Sequence, residues 1–354
     1  MSLYRSIAIP GAVLTIVVAH WGTKRLRGLT PSLSAWAAAA VIVIICASPA
    51  IDQAWAFGHP EELLVTGLAL LGIIARVSGR DVLGAALLGF AAAGKPWASL
   101  VLFAGLASSA SWRQFARDGA VAAACAALLL LPVALGLGSH LSTGLADTGG
   151  GLIFKPGQLW WFLGRHNPDW VGAAANRHHA NAVNQLFTSA NSARFAPSIV
   201  GAWAHKLIIV GGAAAVLVWC RVQPASARRS AALLFTLVAT LLWWRCLLDP
   251  WYQGYYAMGA LAATALAAAA GGRPPVLAGA VWTVMWLSYG QNAPLWPNNP
   301  DLETLITYLW LIPTTLLLTA RAFGLLELGN RWTTRASFRD TSSSSRATSE
   351  SPSS

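Results

Sequence analysis

The sequence predicts an all-α fold, a polytopic bundle of membrane helices, and three observations carry that expectation. Hydrophobic residues make up 56% of the 354 positions and charged residues 10%, against about 25% charged residues in soluble domains. The apolar residues gather into about eleven runs, several of them shorter than the ~20 residues that cross a bilayer alone. Lys and Arg recur on every second connection between runs, the bias that orients membrane proteins.

In chain order, the runs occupy 7–20, 31–50, 63–75, 82–94, 97–110, 119–137, 205–220, 231–247, 255–270, 276–289 and 304–325. Short runs are stable where they pack inside a bundle or line a cavity, so broken helices are expected. Lys24, Arg25 and Arg27 follow the first run, Arg76 and Arg80 the third, and Arg113 and Arg117 the fifth. Arg221, Arg228 and Arg229 follow the seventh, Arg273 the ninth, and Arg321 with the basic tail the last. These connections are expected in the cytoplasm. The His59 turn, the Lys95 turn, the loop 138–204 and the connections near 249–254 and 291–303 then face outward. Residues 82–110 read either as one kinked helix or as a hairpin with Lys95 at its tip. Pro96 and the arginine pattern favour the hairpin.

Residues 1–328 thus form the bundle, with an outer loop at 138–204. Residues 329–354, rich in Ser, Thr and Arg, are too poor in aliphatics to build a core and read as a disordered cytoplasmic tail. The net charge of +11 sits on short loops and this tail, so it signals orientation rather than nucleic acid. Many of the eighteen tryptophans fall at run ends, where indoles favour the interface. Cys46, Cys125, Cys220 and Cys246 lie in or at the ends of apolar runs, with no CxxC spacing. His178 and His179 lack the HExxH spacing of a metal helix, and no metal site is expected. No cleavable leader, Walker loop, dinucleotide fingerprint or nucleophile elbow occurs.

Ionisable side chains at the mouths of apolar runs are where chemistry is sought, because charge beside a bilayer is costly. His59-Pro60-Glu61-Glu62 opens the third run. Pro in a first turn and Glu at a positive helix end are ordinary start signals, yet capping leaves His59 over and one glutamate spare. Asp52 lies seven residues before His59 and could join them. Lys95 reads either as a snorkelling lysine or as a phosphate ligand. Arg245 and Asp249 are four apart, a spacing that suits a local ion pair on one helix face. A guanidinium also grips phosphate with two parallel hydrogen bonds, which makes Arg245 the best phosphate candidate. Trp251, Tyr252, Tyr255 and Tyr256 suit an interfacial belt or a platform for a sugar or isoprenoid.

Three motifs carry a resemblance: Gly58-His59-Pro60-Glu61-Glu62 opening a span, Ala91-x-x-x-Lys95-Pro96-Trp97, and Arg245-x-x-x-Asp249-Pro250-Trp251-x-x-x-Tyr255-Tyr256. Over roughly residues 7–325 the chain resembles actinobacterial integral-membrane glycosyltransferases of the GT-C superfamily, in particular glycosyltransferase family 87. The resemblance implies a polyprenol-phosphate-mannose-dependent mannosyltransferase of the cell membrane. Such an enzyme moves a hexose from a polyprenyl-phosphate sugar to a glycolipid or glycan acceptor on the outer face. Its partners are membrane lipid, donor and acceptor, with no nucleotide, nucleic acid or cofactor. Asp52, Glu61 and Glu62 are then the pool for a catalytic base, Lys95 and Arg245 the donor phosphate ligands, and His59, Asp249 and Tyr255 substrate contacts.

The resembling enzymes carry their base in the first outer loop, whereas here no acidic residue precedes Asp52. Counting back from the basic turns also puts Met1 outside. One further helix ahead of Met1 would close both gaps, so a missing start and little transfer by this chain alone are expected. Two other readings stay open: a transporter or flippase of a lipid-linked or anionic solute, and a catalytically silent partner subunit. No inverted repeat is visible to favour transport.

Overall fold

The computed structural model describes residues 2–56, 58–137, 153–154, 158–164, 194–195, 198–250, 254–289 and 300–325. Within them the chain is a helical bundle. Helix α1 (Ser2–Val17) passes through a π turn (Val18–Gly22) into α2 (Thr23–Leu29). There follow α3 (Ala35–Cys46), α4 (Pro49–Ala56), α5 (Glu61–Val77), α6 (Asp81–Gly94), α7 (Ala98–Ala107) and α8 (Trp112–Leu137). Then come α9 (Ser198–Val222), α10 (Ala231–Leu248), α11 (Ala257–Ala270), α12 (Val276–Tyr289) and α13 (Pro300–Ala322). Between α8 and α9, strands β1 (Ile153–Phe154) and β2 (Arg194–Phe195) pair antiparallel, Ile153 opposite Phe195.

Each apolar run is largely helical, with differences of extent, of which two matter here. The run 31–50 is two helices, because α3 ends at Cys46 and Pro49 opens α4. The run 119–137 belongs to a helix that begins earlier, at Trp112. Among the described residues, five helical stretches are long and apolar enough to cross a membrane: Ala35–Ala56, Trp112–Gly136, Trp203–Val222, Ala231–Leu248 and Asp301–Ala322. The other apolar runs make shorter helices, among them Asp81–Gly94 and Ala98–Ala107. Asp81–Gly94 and Ala98–Ala107 bury one face against neighbouring helices, with Leu88, Leu100 and Val101 in the core, although Val82 and Leu83 stay exposed.

Residues 82–110 form the hairpin. Helix α6 stops at Gly94, Lys95 is extended (φ −149°, ψ 129°), and α7 starts at Ala98. Pro96 enforces the break by disfavouring helical geometry at the residue before it. Helix α7 returns along α6, bringing Gly105 beside Leu88. Helices α6 and α8 cross at Gly89, where any Cβ would run into the Ala122 backbone, so glycine sets the interaxial distance there.

Helix α1 runs parallel to α5, with Gly11 beside Leu63, Gly67 beside Leu14 and Gly22 beside Ile74. Helices α10 and α11 form the centre, where Trp243 Nε1 donates to Thr264 Oγ1 at 3.0 Å. By contrast, only 6% of the α8 span is buried, leaving Leu128 to Leu131 as an apolar outer face suited to lipid. The bundle therefore has two ends. One carries Arg76, Arg117, Arg228 and Arg229; the other, ~25 Å away along the 17-residue α5, carries Glu61 and Glu62. The tail 329–354 and most of the loop 138–204, including His178 and His179, lie outside the described residues.

Candidate functional site

At the Glu61 end, four separate segments converge. Gly58 turns the chain with φ +72°, a left-handed conformation natural only to glycine, and Pro60 then sets the first helical angle of α5. Glu61 and Glu62 follow in the first turn, where successive side chains point about 100° apart. Glu61 is consequently at the mouth, its side chain 34% exposed, while Glu62 points inward at 4%.

The Lys95 side chain reaches both carboxylates from the α6–α7 break. Its Nζ lies 3.0 Å from Glu61 Oε1 and 3.3 Å from Glu62 Oε1. Trp97 Nε1 donates to the other oxygen of Glu62 at 3.1 Å. His59 Nδ1 shares Glu61 Oε1 at 2.9 Å and stacks its ring on Tyr255, with centroids 4.9 Å apart. Tyr255 meets Tyr256 edge-on at 4.9 Å. The Arg245 guanidinium lies between two aromatic faces, 3.9 Å from the Tyr256 centroid and 4.7 Å from that of Trp97.

These contacts close on themselves. Arg245, Tyr256, Tyr255, His59, Glu61, Lys95, Glu62 and Trp97 form a ring of side chains, each touching the next. Packing from Gln53 of α4 holds it from outside, against Gly254 at the start of the tyrosine turn. Glu61 stands ahead of the apolar run that begins at Leu63. Burial pushes its carboxyl up, but hydrogen bonds from His59, its own backbone and Lys95, with the Lys95 charge, outweigh that and hold it at about 2.

Arg245 differs from its neighbours in what its donors do. The side chain is 5% exposed and its faces are covered, yet no described residue accepts a hydrogen bond from it. Asp249 Oδ2 approaches Arg245 Nε only to 3.9 Å. The expected ion pair is present at this distance, but Asp249 does not share the helix face: α10 ends at Leu248, and Asp249 is an extended C-cap residue (φ −73°, ψ 117°). Off the helix, Asp249 Oδ1 instead meets His205 Nε2 of α9 at 3.1 Å.

Of the sequence candidates, His59, Glu61, Glu62, Lys95, Arg245 and Tyr255 lie in the ring, and Asp249 adjoins it. Asp52 does not join them. It is exposed on α4 and makes no hydrogen bond or ion pair with a described residue, because adjacent Gln53 is the residue that α4 turns inward. Trp251 and Tyr252 lie outside the described residues. Sequence reading undervalued Trp97 and Tyr256, the two faces on Arg245, although both stand in the motifs above. It missed His205 altogether, since nothing local marks a histidine 44 residues before its partner.

A planar cation with both faces fixed and no hydrogen bond from its edge to a described residue suits a phosphate, which takes two parallel N–H donors. A lysine between two carboxylates suits exchange, because an incoming anion can replace one of them. Comparison with protein-family models, curated proteins and solved structures gives no match.

Proposed function

We propose that the chain is a membrane glycosyltransferase that takes a hexose, mannose favoured, from a polyprenyl-phosphate donor. The observation that carries the reading is Arg245, held between Trp97 and Tyr256 with no described hydrogen-bond acceptor. Around it lie the groups that such a transfer uses. Lys95 and Arg245 take the donor phosphate. When the phosphate draws Lys95 away, Glu61 loses the partner that keeps it a weak base, and His59 remains to orient it.

Glu61 then accepts the proton of an acceptor hydroxyl while the hydroxyl oxygen attacks the anomeric carbon. The bond from that carbon to the phosphate oxygen breaks, and polyprenyl phosphate leaves with the electron pair, stabilised by the two cations. Glu62 stays in place on Lys95 and Trp97, and Tyr255 offers its ring to the sugar. The apolar helices support a membrane surface as the place of this chemistry, and the arginine pattern favours the extracytoplasmic side.

Membranes containing the chain, given radiolabelled polyprenyl-phosphate mannose, test the reading. A low level of label appearing in a glycolipid or glycan, and lost in Arg245→Lys, is the expected result. Movement of intact donor across sealed vesicles without transfer would replace the enzyme by a flippase. Label that neither transfers nor crosses would overturn both.

A further inference from the structure

At the far end of α5 from the ring, a second polar cluster faces a cavity of about 580 Å³ between α2 and α3. His20, Thr23, Lys24 and Arg27 line it from one side, at positions i, i+3, i+4 and i+7 of one helix face. Ala38 and Ile42 of α3 form the apolar wall opposite. We propose that this cavity binds the phosphate group of an anionic ligand, a function separate from the sugar-donor site.

Three observations converge on it. The first is an unmatched charge. No Asp or Glu occurs in the first 51 residues. Helices α3 and α11, packed on α2, supply no carboxylate either. Arg25 turns away to donate to Ser78 Oγ at 3.1 Å, while Lys24 and Arg27 have no ion pair among the described residues. Orientation by positive charge explains why cations stand here, but not the next observation.

Thr23 is 2% exposed, lines the cavity, and its hydroxyl has no hydrogen-bond partner among the described residues. Eight other helical threonines, Thr15 and Thr240 among them, satisfy their hydroxyls by donating to the carbonyl four residues back. A buried hydroxyl without a partner is costly, so its retention at this point implies an acceptor brought from outside.

The third observation is the turn that precedes Thr23. The π turn Val18–Gly22 ends immediately before it, and such turns recur at functional sites. Rotation of the Thr23 side chain about χ1 would bring its hydroxyl to a phosphate oxygen in the cavity, while Lys24 and Arg27 balance the charge.

The test uses the full chain in phosphatidylcholine nanodiscs, titrated with dioctanoyl phosphatidic acid, dioctanoyl phosphatidylcholine and inorganic phosphate. Saturable binding of the phosphatidic acid, at least tenfold tighter than of the phosphatidylcholine, is expected. Thr23→Val should weaken it about tenfold and the pair Lys24→Gln with Arg27→Gln by more, as loss of charge-assisted bonds implies. Thr23→Val should also melt no lower than the wild type, because it removes an unpaired buried hydroxyl. Inorganic phosphate bound with the same variant losses would support the site and identify its ligand as a soluble anion. Equal binding of both lipids, variants that bind like the wild type, or a clearly lower melting temperature for Thr23→Val would overturn the proposal.

Discussion

Arg76 and Arg245 occupy equivalent places at opposite ends of the bundle, each a buried cation in the last turn of a helix. Their hydrogen bonding could hardly differ more. Arg76 donates to Asp118 Oδ2 at 2.8 Å, to Ser108 and Ser109 at 3.0 Å each, and to the Asp81 carbonyl at 3.5 Å. Both partners of its ion pair are fully buried, and Arg117 binds the second oxygen of Asp118 at 2.8 Å. Arg245 has two aromatic faces and one carboxylate at 3.9 Å. A buried charge is thus no pointer to chemistry by itself; the state of its donors separates a structural clamp from a binding group.

The largest way to break this comparison is Arg76→Leu. It leaves Asp118 Oδ2 and two serines without the Arg76 donors, and breaking a buried pair from one side costs about 3–5 kcal/mol. Thermal melting in detergent should show that loss, whereas Arg245→Leu, which abandons few hydrogen bonds, should melt much closer to the wild type. Equal losses would erase the distinction between the two ends.

A smaller effect concerns Glu61 and acid. Its folded carboxyl lies at about 2 against an ordinary 4.5. A depressed value stabilises the fold above the ordinary pKa, and that contribution disappears as pH falls through the interval toward 2. Glu61→Gln should therefore flatten the melting-temperature profile between about pH 4.5 and 2 while changing little in its shape near neutrality. An unchanged acid slope would remove Glu61 from the ion-paired ring. Smallest of all is Asp52→Asn, which should leave both stability and sugar transfer within error, since Asp52 is exposed and touches no ring member. Loss of transfer in that variant would return Asp52 to the role of base.

Much of this architecture could be read before any coordinates, for definable reasons. Apolar runs bounded by Pro, Gly and arginine reveal helices because lipid and helix termini punish the alternatives locally. The Lys95 break was legible from Pro96, and the ring members from charges in apolar company. Other features depend on tertiary packing and leave no local trace. Asp118 owes its role to Arg76, 42 residues away. The end of α10 at Leu248 redirects Asp249 to His205, which helical spacing could not anticipate. The π turn, too, is absent from any periodicity, because one added residue resembles ordinary variation in an apolar run.

The most direct measurement is the affinity of the purified chain for polyprenyl phosphate, the leaving group of the proposed transfer, with wild type and Arg245→Lys compared at matched melting temperatures. Lysine keeps the charge but loses the planar fork and its fit between Trp97 and Tyr256. The ring predicts affinity about tenfold or more lower for the lysine variant, in line with the worth of charge-assisted hydrogen bonds. Equal affinity for the two proteins would contradict a phosphate site at Arg245.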